Sequence, residues 1–284
     1  MRIDTFRGQA KKMLFMEDGD SWDRIKAFMI ENQLTGIVIS RYLGFTGDSI
    51  ALNDSFEFVD EVHIIDSNVQ DISFLYSFPS VKVLNIQNND KTKIDFAEFE
   101  YLEDIFITWR RGVQHLMAKQ SLKSLKIEKY KEKSLDFSGN ENLETLWIYP
   151  SPLERLVNCQ CLSKLKNLKL ARLSCMVDTS WLQYLTHLEF AYFVSCKKMS
   201  STLLDSLLAA TNLKRLYLER MGDIPSINSI QSFANIEDLA IIDTTRIVDG
   251  DLTPLLALPK SCRILVRSYN HYRPSFAEIE ASRR

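Results

Sequence analysis

Glycine and proline are scarce, with nine and seven among 284 residues. Average usage would supply about twenty and fourteen. That shortage excludes collagen-like repeats and argues against long flexible linkers. Cysteine is also sparse: Cys159, Cys161, Cys175, Cys196 and Cys262 are odd in number and irregular in spacing. A disulfide framework is therefore not expected, and reduced thiols in a cytoplasmic protein are. No apolar run approaches the roughly 18 residues of a membrane-spanning helix. The opening stretch "MRIDTFRGQAKKMLFMEDGD" holds no unbroken apolar segment before its acidic cluster, so a secretory leader is not expected. Charge of one sign is missing as well. The net charge is -2, from 35 basic and 37 acidic residues, and exerts no general pull toward nucleic acid or an anionic membrane. The two glycines of "RYLGFTGDS" lack the lysine and the spacing of a phosphate-binding loop.

What the chain does have is a repeat. The pattern apolar-x-x-apolar-x-apolar runs as "VDEVHI" from Val59, "VKVLNI" from Val81, "LEDIFI" from Leu102, "LKSLKI" from Leu122 and "LETLWI" from Leu143. It continues as "LKNLKL" from Leu165, "LTHLEF" from Leu185, "LKRLYL" from Leu213 and "IEDLAI" from Ile236. Successive starts lie 20–23 residues apart, with one gap of 28 between Leu185 and Leu213. Weaker copies, "LTGIVI" from Leu34 and "SCRILV" from Ser261, flank the array. Alternation marks each copy as a short strand with one apolar face. Between the strands, apolar residues fall three apart, as in Val69, Ile72, Leu75, Phe78 and Val81, which suits a 3₁₀-like turn. In the 28-residue unit, "SSTLLDSLLAATNL" reads as an α-helix capped by Ser200 or Ser201, with Leu203, Leu204, Leu207 and Leu208 as its apolar stripe.

These units resemble leucine-rich repeats, and "NVQDISFLYSFPSVKVLNI" is most similar to the short 22-residue class of bacterial internalins. The resemblance implies an α/β solenoid, a horseshoe with a parallel sheet on its concave face and 3₁₀ or short helices on its convex face. It also implies an asparagine nine positions into each unit, tying the loop backbone together. That position reads Ser67, Asn89, Arg110, Tyr130, Ser151, Leu173, Phe193, Met221 and Thr244, so only Asn89 fits and an irregular solenoid is expected. The expected organisation is an N-terminal capping-helix region over 1–33, a repeat solenoid over 34–270 and a C-terminal cap or tail over 271–284. Trp22, Ile25, Phe28, Met29 and Leu34 offer the first cap an inward stripe, and Ser275 with Glu278 forms a capping-box pair for the last.

In such a solenoid the alternate side chains of each strand line the concave wall. Glu61, His63 and Asp66 open that row, and Arg263, Arg267 and Tyr269 close it, so charge drifts from acidic to basic. Within it Phe106, Trp109, Trp147, Tyr149, Tyr192 and Tyr217 form an aromatic band accompanied by Arg172 and Arg215. Tryptophan, tyrosine and arginine dominate protein–protein hot spots, so these eight residues are the candidate partner-binding set. The plainer reading, that large rings merely shield the sheet, is set against the rule that an apolar patch rimmed by charge marks an interaction site.

Catalytic, cofactor and metal sites are not expected. Cys159 and Cys161 have no second Cys or His pair at finger spacing, and the inward period makes Cys159 a core thiol. His187 on the strand and Cys196 in the following loop lack an orienting third group. The mixed run "EKYKEK" from Glu128 reads as a solvated loop. Repeats and caps occupy the sequence, so a separate catalytic domain is not expected. The expectation is a non-catalytic protein-interaction scaffold, with no nucleic-acid or membrane partner. An immunity protein covering the active surface of a cognate toxin, or an adaptor recruiting a substrate, are its narrower versions.

Overall fold

The computed structural model describes residues 1–6, 10–52, 54–88 and 90–283. It falls into two compact units, Met1–Glu128 and Lys129–Arg284. Among the described residues the first unit carries seven strands of its principal sheet: β1 (Arg2–Thr5), β2 (Lys12–Phe15), β3 (Gly36–Ser40), β4 (Glu61–Ile65), β5 (Val83–Gln87), β6 (Asp104–Thr108) and β7 (Ser124–Glu128). From β2 onward neighbours pair in parallel, with Val62 opposite Leu84, Leu84 opposite Ile105, and Ile105 opposite Leu125. The principal sheet of the second unit has six: β8 (Thr145–Tyr149), β9 (Asn167–Ala171), β10 (Phe190–Val194), β11 (Arg215–Glu219), β12 (Asp238–Ile242) and β13 (Arg263–Val266). All of their pairings are parallel.

The repeat motif explains the packing. Its apolar alternates, among them Val62, Ile64, Leu84, Ile86, Leu146, Ile148, Leu216 and Leu218, are completely buried. Each contributes roughly 1.5–3 kcal/mol on leaving water. The apolar residues three apart form 3₁₀ turns at Ser73–Ser77, Cys159–Leu162 and Asn228–Ser232, and their inward side chains Leu75, Leu162 and Ile230 close the other side of the core. A residue in the left-handed region directly follows six of the strands: Asp66, Lys129, Arg172, Ser195, Arg220 and Asp243. These turns direct the chain off the sheet without glycine, which is consistent with its scarcity.

Four details differ from the sequence expectation. The first is the register of one unit. Strand β10 pairs Ala191 with Leu168 and Phe193 with Leu170, so the repeat begins at Leu188, not Leu185, and reads "LEFAYF". The spacings of 20 and 28 then become 23 (Leu165 to Leu188) and 25 (Leu188 to Leu213). Phe190, expected in the core, turns outward, and Phe193 goes in. The second is the helix of that unit. It spans only Leu203–Ser206, follows Thr202 instead of Ser200 or Ser201, and leaves Leu208 exposed.

The third concerns the N-terminal region. Besides α1 (Trp22–Glu31), which buries Ile25 and Met29, it contributes the antiparallel pair β1–β2. Phe6, Met13, Phe15, Val38 and Ile65 form a small second core on the outer face of these first strands. That core covers what the sequence places at the start of the wall. Phe6 packs on His63 with ring centroids 4.6 Å apart, and Lys11 Nζ reaches Glu61 at 3.1 Å. Glu61 and His63 are consequently buried. Burial alone would raise the Glu61 carboxyl, but hydrogen bonds from His63 and Lys11 outweigh it and hold that group below its ordinary value.

The fourth is what stands at the asparagine position. Asn89 lies outside the described residues. Its neighbour Asn88 is buried and donates to the Val69 carbonyl at 3.2 Å. Arg110 is buried too. It pairs with Asp90 and donates to the carbonyls of Ile86 and Thr108 and to Asn88 Oδ1. Tyr130 donates its hydroxyl to the Ser134 carbonyl. With the corrected register Cys196 takes the place assigned to Phe193, its Sγ 3.5 Å from the carbonyls of Leu170 and Val194. Thr245, not the exposed Thr244, donates to Leu218 and accepts from the Met221 amide, both at 3.1 Å. Different chemistries thus satisfy buried loop backbone that one repeated asparagine satisfies elsewhere.

At the other end α2 (Phe276–Arg283) begins at a reciprocal capping box, with Ser275 N donating to Glu278 Oε2 at 2.7 Å and Glu278 N to Ser275 Oγ at 3.3 Å. Its Ile279 is buried, and the Arg283 guanidinium binds the carbonyls of Leu255, Leu258, Pro259 and Cys262.

Candidate functional site

The outward positions of the second unit's strands align in transverse rows. The central row runs Trp147, Lys169, Tyr192, Tyr217, Ala240 and Leu265, each opposite the next. A parallel row runs Thr145, Asn167, Phe190, Arg215, Asp238 and Arg263. Strands lie about 4.8 Å apart, so facing side chains touch. Tyr192 and Tyr217 meet edge to face at 5.7 Å, and Phe190 meets Tyr217 edge to face at 5.6 Å. Lys169 Nζ lies between two rings, 5.3 Å from Trp147 and 4.9 Å from Tyr192, and the Arg215 guanidinium lies 4.9 Å from Phe190. Such cation–ring contacts orient the charge without neutralising it.

The acidic groups of this face are already engaged. Arg263 grips Asp238 through Nε and Nη2, and the Tyr217 hydroxyl donates to the same carboxylate at 2.6 Å. Glu219 accepts from the Tyr192 hydroxyl and from Arg220, which also reaches Asp243. Burial first, and then the bond to Glu219, pushes the Tyr192 phenol up to about 12, so it remains a proton donor at neutral pH. The row drops from Tyr217 to Ala240, where no long side chain stands, and rises again at Leu265. The result is a pit of about 470 Å³ floored by Ala240 and walled by Tyr192, Tyr217, Ile242, Ile264, Leu265 and the Asp238–Arg263 pair. Leu265 is 56% exposed and leaves the rim apolar.

Of the eight residues selected from sequence, Tyr192, Tyr217 and Arg215 gather around Phe190, and Trp147 joins them through Lys169. Tyr149 is half-buried at the end of β8, and Arg172 is exposed on the turn after β9. Phe106 and Trp109 are half-buried in the first unit, Phe106 on β6 and Trp109 just after it. Phe190 and Leu265 are members of the face that the sequence reading does not include, whereas Ala240 is on the face as alternation places it. Phe190 was hidden by the misread register, which the uneven spacings of 20 and 28 residues signalled. His187 lies before β10 rather than on it, is exposed, and hydrogen-bonds the Ser163 carbonyl. Cys196 is sealed inside, and burial pushes its thiol up to about 11. The two therefore cannot act as a nucleophile pair. Cys159 is likewise buried, its thiol pushed up to about 12. Among the described residues no three acidic, histidine or cysteine side chains converge as metal ligands, and no helix is long and apolar enough to cross a membrane.

The Asp238 pair carries a pH signature. Hydrogen bonding from Arg263, aided by Tyr217, outweighs burial and holds the carboxyl below its ordinary value. The stabilisation is therefore complete above the unfolded carboxyl pKa of about 3.9 and is lost as pH falls through the lower folded value. Urea midpoints recorded between pH 6 and pH 2.5 should fall less steeply in acid for Asp238→Asn than for the unaltered chain. Equal slopes would show that the pair contributes nothing.

No family model matches the chain, and no curated protein matches it. Solved structures do resemble it. The functional domain of InlJ from Listeria monocytogenes aligns with a TM-score of 0.52 at 13% identity, over 84% of this chain and 64% of that one. The leucine-rich repeat domain of the type III effector XopL aligns with a TM-score of 0.51 at 16% identity, over 88% and 82%. An internalin of L. monocytogenes, InlF, gives 0.49 at 14% identity, over 87% and 77%. The chain spans less than two-thirds of the InlJ domain's length. Parallel strands on one side of the core, 3₁₀ turns on the other, and one such unit every 20–25 residues give this chain the leucine-rich repeat fold.

Proposed function

We propose that the chain is a non-catalytic, cytoplasmic scaffold that binds another protein on the outer face of the sheet in its second unit. One observation carries this reading: Trp147, Tyr192, Phe190 and Tyr217 stand half-exposed in adjoining rows, held in place by their neighbours. Aromatic side chains fixed in this way lose little entropy on docking, and a rigid sheet adds no ordering cost of its own. Affinity capture from the native lysate, with the unaltered chain beside a Trp147→Ala/Tyr217→Ala double variant, tests the proposal. A protein retained by the first and lost from the second, with unchanged circular dichroism, supports it. Equal capture by both removes the face from consideration. A toxin neutralised by this chain is one partner of this kind. A toxin-like reading frame beside its gene supports that narrower version, and its absence argues for an adaptor.

A further inference from the structure

The same face is charged in an uneven way. Asp238, Glu219 and Asp243 are each bound by an arginine of this chain. Lys169 and Arg215 lie against rings and make no ion pair among the described residues, although the charge of Arg215 also acts across space on Glu189 and Asp238. The surface therefore offers two oriented cations without a direct ion-pair partner, while the carboxylates nearest them, Glu189 and Asp238, are already paired with Lys214 and Arg263. Next to Arg215, one strand further on, the Ala240 pit is lined largely by apolar side chains and remains open.

We infer that the protein partner carries an aliphatic or aromatic side chain that enters the pit over Ala240, flanked on one side by carboxylates that meet Arg215 and Lys169. This rests on the function proposed above and adds the chemistry of the partner. A partner carboxylate at Lys169 enters a site already lined by Trp147 and Tyr192, where partial desolvation strengthens the charge pairing. The spacing follows from the sheet. Lys169 and Ala240 lie three strands apart, about 14 Å, which an extended segment crosses in about four residues. Arg215 lies one strand from the pit, so a second acidic residue is expected within one or two positions of the apolar anchor. A nucleic acid is the poorer fit. Its phosphates need a continuous basic stripe, whereas Asp238 and Glu219 interrupt this one and the pit asks for an apolar group.

Selection of random twelve-residue peptides displayed on phage, against the immobilised full-length chain, tests the inference. Enriched peptides should combine one large apolar residue with Asp or Glu within about four positions. Their affinity should drop at least tenfold for Lys169→Glu/Arg215→Glu and for Ala240→Arg, and should weaken as salt is raised. Leu265→Asp, at the exposed rim, gives a second test of the pit should Ala240→Arg fail to fold. Peptides that depend on Tyr217 and Ala240 but show no acidic enrichment, or that tolerate the charge reversal, overturn the inference and leave the binding face standing. Peptides indifferent to every one of these substitutions, or no enrichment at all, count against both. Tight binding of an oligothymidylate that is lost on Lys169→Glu/Arg215→Glu overturns the protein-partner assignment.

Discussion

Replacing Arg110 with methionine is expected to lower stability by about 3–5 kcal/mol, and Asp90→Ala by a similar amount. Both side chains are buried in the first unit, with the Asp90 carboxylate inaccessible to solvent. Burial draws the guanidinium down to about 10, which still leaves it charged at neutral pH. Its remaining protons are taken by two carbonyls and by Asn88, which in turn holds the Val69 carbonyl. Removing Asp90 strands a buried cation. Removing Arg110 strands a buried anion and also frees the carbonyls of Ile86 and Thr108. The pair as a whole is a different matter, because two charges brought out of water cost nearly what their attraction returns. The double variant Asp90→Leu/Arg110→Met should therefore recover much of the loss, giving a coupling of roughly 2–3 kcal/mol in a double-mutant cycle of urea midpoints. Single variants that shift the midpoint by no more than an ordinary surface substitution, within about 0.5 kcal/mol, would show that Arg110 does not do the work of the absent asparagines.

That network also marks the boundary of what the sequence made legible. Inward strand positions were readable because burial demands an apolar residue at fixed offsets, and nine units repeat that demand. The loop position was not, because satisfying a carbonyl asks only for a donor of suitable reach. Arg110, Cys196 and Thr245 meet that need in unrelated ways. The β1–β2 pair escaped notice because "RIDT" and "KMLF" are short and share no spacing with the array. The small core they build on the outer face reverses the usual meaning of alternation there, and so alternation alone places His63 and Glu61 on an open wall although both are buried. The aromatic part of the candidate face follows directly from alternation at Trp147 and Tyr217, whereas the strand position of Tyr192 follows only from the corrected register of β10. The pit does not, since it arises from Ala240, a residue whose importance lies in what it leaves empty.

The register of β10 yields the second large effect. Leu185 and Leu188 stand three apart and each can open the motif, so the sequence admits two frames for this unit. One frame sends Phe190 inward and the other sends Phe193. The structure buries Phe193 completely and leaves Phe190 half-exposed beneath Arg215. Phe193→Ala should therefore open a cavity and cost about 3–5 kcal/mol. Phe190→Ala loses edge-to-face contacts with Tyr192 and Tyr217, worth about 0.5–1.5 kcal/mol each, and leaves no void in the core. It should be the milder of the two for stability by at least about 1 kcal/mol. In binding the order should invert. Without Phe190 the Arg215 guanidinium loses the ring that orients it, so peptides selected on this face should bind more weakly even where the chain remains fully folded. If Phe190→Ala proved the more destabilising variant, Leu185 would open the unit after all, and Phe190 would pass from the face to the core.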